Sequence, residues 1–157
     1  MSYELSPVTV SAFVPAPPDE VFAYVSDTRN DPKWCPNVTG VEQVSGEGVG
    51  VGSRFRFHQS IEVQGRTLDS EVEVEVLSIA DRAIEWAVDD RFQSRHVRLG
   101  VEPVEGGSKV TQRTTATFKR KPGIARWAYP FLARRTFRKQ FTELAGVFGQ
   151  RTPPPDP

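Results

Sequence analysis

Residues 8–36 read Val8-Thr-Val-Ser-Ala-Phe-Val14-Pro-Ala-Pro-Pro-Asp-Glu-Val21-Phe-Ala-Tyr-Val25-Ser-Asp27-Thr-Arg-Asn-Asp31-Pro-Lys-Trp34-Cys-Pro36. Val8, Val10, Ala12 and Val14 alternate with Thr9, Ser11 and Phe13, the period of two that a half-buried strand requires. Pro15, Pro17 and Pro18 end that strand, and proline suits the first turn of a following helix, where its missing N–H costs nothing. Asp19 and Glu20 fall in that first turn, where negative charge complements the helix dipole. Val21, Phe22 and Val25 make its apolar stripe, and Asp31-Pro32 reads as a second cap and first turn leading to Trp34. The stretch therefore predicts a strand, a sharp turn, a short amphipathic helix and a second short capped helix.

Downstream the period of two dominates. Val38–Val44 is a short strand, followed by a turn loosened by Gly46, Gly48, Gly50 and Gly52. In Arg54–Val63, Phe55, Phe57, Gln59, Ile61 and Val63 share one face, and Arg54, Arg56, His58 and Ser60 the other. Gln64-Gly65 turns the chain into Leu68–Val76, where Val72, Val74 and Val76 oppose Glu71, Glu73 and Glu75, the mark of an antiparallel sheet with one wet face. Asp81-Arg82 leads into Ile84–Val88, then Phe92–Val101, and Gly106-Gly107 makes the last hairpin into Lys109–Lys119.

After Pro122-Gly123 the pattern becomes helical. Ile124, Trp127/Ala128, Phe131, Phe137, Phe141, Leu144 and Phe148 suggest a single core-facing stripe, with a kink or a separate first turn at Pro130. Each Phe buried there contributes about 1.5–3 kcal/mol, which makes this helix a main source of stability. The end, Thr152-Pro-Pro-Pro-Asp-Pro157, is proline-rich and polar, and residues 151–157 are expected to be a disordered tail on a single domain of residues 1–150. Strands in a run with helices segregated to one side specify α+β, not βαβ.

Composition narrows the class. The chain has 157 residues, 38% hydrophobic and 25% charged, ordinary values for one globular domain with a real core. No apolar run approaches the roughly 20 residues needed to span a bilayer, and the N-terminus lacks a basic-then-apolar signal pattern, so a cytoplasmic protein that is not transmembrane is expected. One cysteine, Cys35, forms no disulfide framework.

The formal net charge is zero but unevenly placed. Residues 1–80 carry 12 acids and 5 bases, whereas residues 81–157 carry 8 acids and 15 bases. Lys119–Lys139 holds eight Lys/Arg and no Asp or Glu. Such a segment is either a solvated helix face complementing the acidic strands of Glu71, Glu73 and Glu75, or a surface for anionic lipid, a phosphorylated ligand or an acidic protein partner. Nucleic acid is not an expected partner, because the aromatics of this helix follow the core stripe.

In this order, the strand ending at Val14, the Val21-Phe22 helix, the Asp27…Trp34 spacing, Val51-Gly52-Ser53 and the closing aromatic helix resemble the START-like superfamily, also called SRPBCC or Bet v 1-like. The likeness is greatest to its polyketide cyclase/dehydrase and lipid transport branch, and it covers nearly the whole chain. It implies a helix-grip fold: a curved antiparallel sheet of about seven strands wrapped around a long C-terminal helix, enclosing a cavity for a small apolar molecule, lipid or polyketide-like. Sheet parity and helix stripes nominate the cavity wall. The helical elements supply Phe22, Val25 and Trp34 at the start of the chain, and Phe137, Phe141 and Leu144 at its end. The strands supply Phe55, Phe57, Leu68, Val72, Trp86, Val97 and Leu99, together with the polar Gln59, Gln112 and Thr114. Polar residues on an apolar face need partners and are candidates to fix the polar end of a ligand.

Catalytic signals are thin. His58 and His96 fall on the polar parity of their strands, and only a bulge would bring His96, beside Arg95, into the cavity as an acid or base. The two histidines and Cys35 share no metal-ligand spacing, so no metal is expected. No phosphate-cradling glycine motif is present, and no cofactor is expected. Three functions stay open: a carrier of an apolar metabolite, a metal-independent enzyme like the polyketide cyclases, aromatases and dehydrases, and a protein-partner module acting through the basic helix.

Overall fold

A computed structural model describes residues 3–151; the proposed tail lies outside these, apart from Arg151, which closes the last helix. Strands β1 (Tyr3–Glu4) and β2 (Val8–Val14) precede helix α1 (Pro18–Ser26), a 3-10 turn (Thr28–Asn30) and helix α2 (Asp31–Trp34). Six strands follow: β3 (Val38–Ser45), β4 (Arg54–Val63), β5 (Arg66–Ala80), β6 (Ala83–Asp89), β7 (Gln93–Val104) and β8 (Gly107–Phe118), and then helix α3 (Ala125–Arg151). All strand pairs are antiparallel, in the order β8-β7-β6-β5-β4-β3, with β1 and β2 both pairing β8. This is the expected α+β helix-grip architecture with eight strands, the additional one being the two-residue β1 on β8.

Alternation places the expected faces correctly. Val8, Val10 and Val14 are buried on β2, Phe55 and Phe57 on β4, Val72, Val74 and Val76 on β5. The opposite face of β3, β4 and β5 is a lattice of ion pairs: Arg54 with Glu75 at 2.8 Å, and Arg56 with Glu73 at 2.9 Å and Glu42 at 3.2 Å. The acidic strands therefore neutralise the arginines of their own sheet, and among the described residues none of Glu71, Glu73 and Glu75 pairs with the basic helix, contrary to the expected complementarity. The reason is geometric: α3 packs on the inner face, whereas those carboxylates point outward.

Two places depart from simple alternation. β5 runs longer than its Val/Glu core because a bulge between Val76 and Ser78 lets it continue past the change of face. On β3, register shifts lie between Val38 and Gly40 and between Gln43 and Ser45. At the hairpin from β7 to β8, Gly106 has φ +82°, and a side chain on Gly107 would meet the Val14 carbonyl oxygen, so the close approach of β2 requires glycine there.

Helix α3 is continuous through Pro130, with no separate first turn; its first N–H groups pair back to Pro122, Gly123 and Ile124. Phe137, Phe141, Leu144 and Phe148 are buried as expected. Ile124, Trp127 and Phe131 are not: they are 85, 81 and 83% exposed. The phase of the stripe explains the correction. Phe131 to Phe137 is a step of six, which turns the helix about 240° and puts the earlier aromatics on the side opposite the core. Ala133 and Tyr129 occupy the inward positions instead, Tyr129 packing edge-on against Phe118 at 5.6 Å.

Phe141 is 1% exposed and stacks on Trp34 at 6.4 Å with an interplanar angle of 12°. Phe141→Ala should cost about 3–5 kcal/mol, whereas Phe131→Ala should stay within about 0.5 kcal/mol of the unaltered protein, both read from urea unfolding midpoints. Equal losses at the two positions would contradict the helix orientation described here.

Candidate ligand-binding site

Between the inner face of the sheet and α3 lies a cavity of about 100 Å³, partly open to the outside. Of the residues nominated from sequence, Trp34, Phe57, Gln59, Trp86, Val97, Gln112 and Phe137 line it. Phe55, Val72 and Leu99 are fully enclosed in the core, as are Val25, Phe141 and Leu144, and Phe22 packs against that core without reaching the cavity. Thr114 sits behind the wall, where its hydroxyl accepts from Gln112 Nε2 at 3.3 Å. Leu68 is exposed, and so is its partner across the hairpin, Ile61. Both have the inward parity, but β6 begins pairing with β5 only at Glu73, so the tip of the β4–β5 hairpin projects beyond the covered sheet.

Arg95 lines the cavity and His96 does not. The β6–β7 and β7–β8 registers run without a shift, so parity holds: Arg95 shares the inner face with Val97, and His96 turns outward to Glu85 at 3.1 Å. His58 likewise faces outward, between Glu42 and Glu71.

Sequence reasoning missed Thr28, Asp31, Cys35 and Gln140 on this wall, along with Val38, Val74 and Val88. Asp31 is the important one. Asp27, bound through both carboxylate oxygens to the Arg29 guanidinium at 2.8 Å, caps the 3-10 turn and directs the chain inward. The turn then delivers Asp31 as the first residue of α2, buried at the cavity, and Trp34 one turn later. Burial pushes the Asp31 carboxyl well above the ordinary aspartate range, and the Asp27 charge adds to the effect. The Trp34 indole N–H leans toward Asp31 without reaching hydrogen-bond geometry, and its opposing pull is the smallest of the three influences. Cys35 is also buried, and desolvation, followed by the Asp31 charge, raises its thiol well above the usual range. By contrast, the Arg29 hydrogen bond holds Asp27 below the usual carboxylate range.

Five buried polar atoms of the wall have no hydrogen-bond partner among the described residues: Thr28 Oγ1, Asp31 Oδ1, Trp34 Nε1, Trp86 Nε1 and Arg95 Nε. Buried polar atoms are nearly always paired with protein or ordered water, so five on one small wall leave hydrogen-bonding capacity that water or a bound molecule would take up. Indole and guanidinium nitrogens only donate, so three of the five, Trp34 Nε1, Trp86 Nε1 and Arg95 Nε, are donors. Among the described residues no group of His, Cys, Asp and Glu could hold a metal ion.

Comparison with known proteins agrees with this geometry. The family model for polyketide cyclase/dehydrase and lipid transport matches residues 7–149. No curated protein matches the sequence significantly. Among solved structures, a START superfamily protein from Mycobacterium smegmatis aligns with a TM-score of 0.69 at 18% identity, over 93% of this chain and 99% of that one. TTHA0849 from Thermus thermophilus aligns with a TM-score of 0.71 at 18% identity, over 94% and 100%. The di-domain ARO/CYC protein StfQ from the steffimycin biosynthetic pathway aligns with a TM-score of 0.71 at 14% identity, over 95% of this chain and 52% of that one. At these identities the structural likeness is one of fold.

Two measurements check the electrostatics. The folded state holds the Asp31 proton more tightly than the unfolded chain, so Asp31 makes folding less favourable as pH rises above about 3.9, until its folded value is passed. Asp31→Asn removes that dependence; its stability relative to the native protein should climb with pH across the window in a series of urea titrations, and parallel profiles would contradict the assignment. Cys35 should resist a thiol reagent in the native protein and react at once in denaturant; rapid native labelling would contradict its burial.

Proposed function

The chain belongs to the polyketide cyclase/dehydrase and lipid transport family, and on that footing we propose that its cavity binds a small, largely apolar molecule carrying acceptor oxygens. The observation that carries this reading is the set of unpartnered donors, Trp34 Nε1, Trp86 Nε1 and Arg95 Nε, on a wall that also carries aromatic and aliphatic side chains and three glutamines, Gln59, Gln112 and Gln140. Apolar lining supplies affinity, and a few placed polar groups fix orientation. Trp86 Nε1 and Arg95 Nε would meet a carbonyl or carboxylate oxygen, while Trp34, Phe57 and Phe137 enclose the carbon skeleton. A cavity of about 100 Å³ is smaller than the roughly 150 Å³ that takes up benzene, so any ligand larger than one ring extends through the open side.

A second reading is favoured by one residue. A buried carboxyl that stays neutral is a proton donor, and Asp31 shares its cavity with the cationic Arg95. Together they would polarise a ligand carbonyl toward attack by an enol carbon of the same molecule. The new carbon–carbon bond closes the ring, Asp31 gives its proton to the carbonyl oxygen, and the enol O–H proton returns to the Asp31 carboxylate, a cyclisation of the class in the family's name.

Native mass spectrometry of gently purified protein, followed by solvent extraction, tests the binding reading. The expected result is a stoichiometric oxygenated adduct that Trp86→Phe or Arg95→Met weakens by about 1–3 kcal/mol. An adduct-free mass after exposure to lipid and aromatic polyketide panels would overturn it. Where an adduct is found, Asp31→Asn should leave binding in place and abolish turnover if the enzymatic reading holds.

A further inference from the structure

Ile124, immediately before α3, and Trp127, Phe131 and Leu132 at its start are all exposed, on the side of the helix away from the core. Four large exposed apolar side chains gathered at the start of one helix are the kind of surface that marks an interaction site. The cations around it are unusually free. Of the eight Lys/Arg between residues 119 and 139, Lys119 pairs with Asp89 at 3.0 Å, and none of the other seven has a carboxylate partner among the described residues. The other ion pairs among the described residues lie elsewhere, most of them on the outer face of the sheet. Strand topology adds to the same edge: β6 ends and β7 begins there, and the intervening Phe92, exposed beneath the Arg91 guanidinium, accepts a backbone hydrogen bond from Lys119 at 2.9 Å.

We propose that this start of α3, with the adjoining Phe92 turn, docks the protein reversibly onto an anionic lipid bilayer. Trp and Phe have the amphipathic shape favoured at the headgroup boundary, and Ile124 and Leu132 reach the same apolar depth. The unpaired Arg and Lys side chains meet the negative surface potential of the leaflet. A second copy of the chain would bring the same cations against themselves. Single-stranded nucleic acid would stack on Trp127 and Phe131 but has no use for the two aliphatic side chains. No described helix is long and apolar enough to cross a membrane, so the contact is peripheral. Its position relative to the cavity is also defined: Tyr129, on the inner side of the same turns, lies within charge range of the cavity residue Arg95. The docking does not depend on what the cavity holds.

Vesicle flotation with the full chain tests the proposal, using phosphatidylcholine alone and phosphatidylcholine mixed with phosphatidylglycerol. Binding to the mixed vesicles should exceed binding to phosphatidylcholine by about tenfold or more at low salt and fall steeply at high salt. Trp127 is the exposed tryptophan, Trp34 and Trp86 being buried, so fluorescence should shift to the blue on binding and lose that shift in Trp127→Phe. Trp127→Ala with Phe131→Ala should weaken vesicle binding about tenfold, and so should Arg134→Glu with Arg135→Glu, while the melting temperature of each stays close to that of the native chain. Three results would overturn the proposal: no flotation with anionic vesicles at low salt; binding undiminished in the aromatic double variant, which would reduce the contact to charge alone; or tight binding of a single-stranded oligonucleotide or an acidic protein without any vesicle binding.

Discussion

The stack of Trp34 on Phe141 is the contact on which the rest of the molecule depends. A curved sheet has a concave face that cannot be left wet, and α3 is the element that covers it. α3 is anchored along β2 and against α2, so the helix is held at one side and spans the remainder of the concavity. Trp34 is the α2 side of that anchorage, and it also forms part of the cavity wall. The same residue therefore fixes how far the helix stands from the sheet and how much space is left between them. Tyr24 against Phe148 repeats the arrangement one stage further along, edge to face at 5.4 Å.

Much of this could be read from the sequence, for identifiable reasons. Strands β2, β4 and the Val/Glu core of β5 carry strict alternation, and a period of two has no helical interpretation. The prolines before α1 and the Gly pair before β8 punctuate the chain where it turns. Inward parity found Phe57, Gln59, Trp86, Val97 and Gln112 as cavity residues and placed Arg95 and His96 on opposite sides of β7. Parity was silent on coverage. Val72 and Leu68 have the same parity, yet Val72 lies beneath neighbours and Leu68 stands on an uncovered hairpin tip.

Helical residues were harder for two distinct reasons. Spacings of three and four join Ile124, Trp127 and Phe131 into a stripe, but the six-residue step to Phe137 breaks its phase, and that step was visible in the sequence. Asp31 carried no such signal. An Asp-Pro pair reads as a cap and first turn; here Asn30 holds the cap position, Asp31 is the first helical residue and makes no capping hydrogen bond, and nothing local reveals that the turn faces inward. Its burial follows from Asp27 and Arg29 turning the chain and from Trp34 being drawn under α3, which are tertiary facts.

The irregular pairing of β3 has a consequence for how copies of the molecule behave toward one another. β3 is the outermost strand on its side of the sheet, whereas the opposite margin, β2, lies against α3. With a net charge of zero the chain lacks the mutual repulsion that keeps many proteins apart in concentrated solution. A straight outer strand would then invite a neighbour to extend the sheet, the first step toward fibrous aggregation. Two register shifts within one eight-residue strand interrupt the row of peptide groups that such growth needs. In this protein, backbone irregularity supplies the colloidal protection that charge does not.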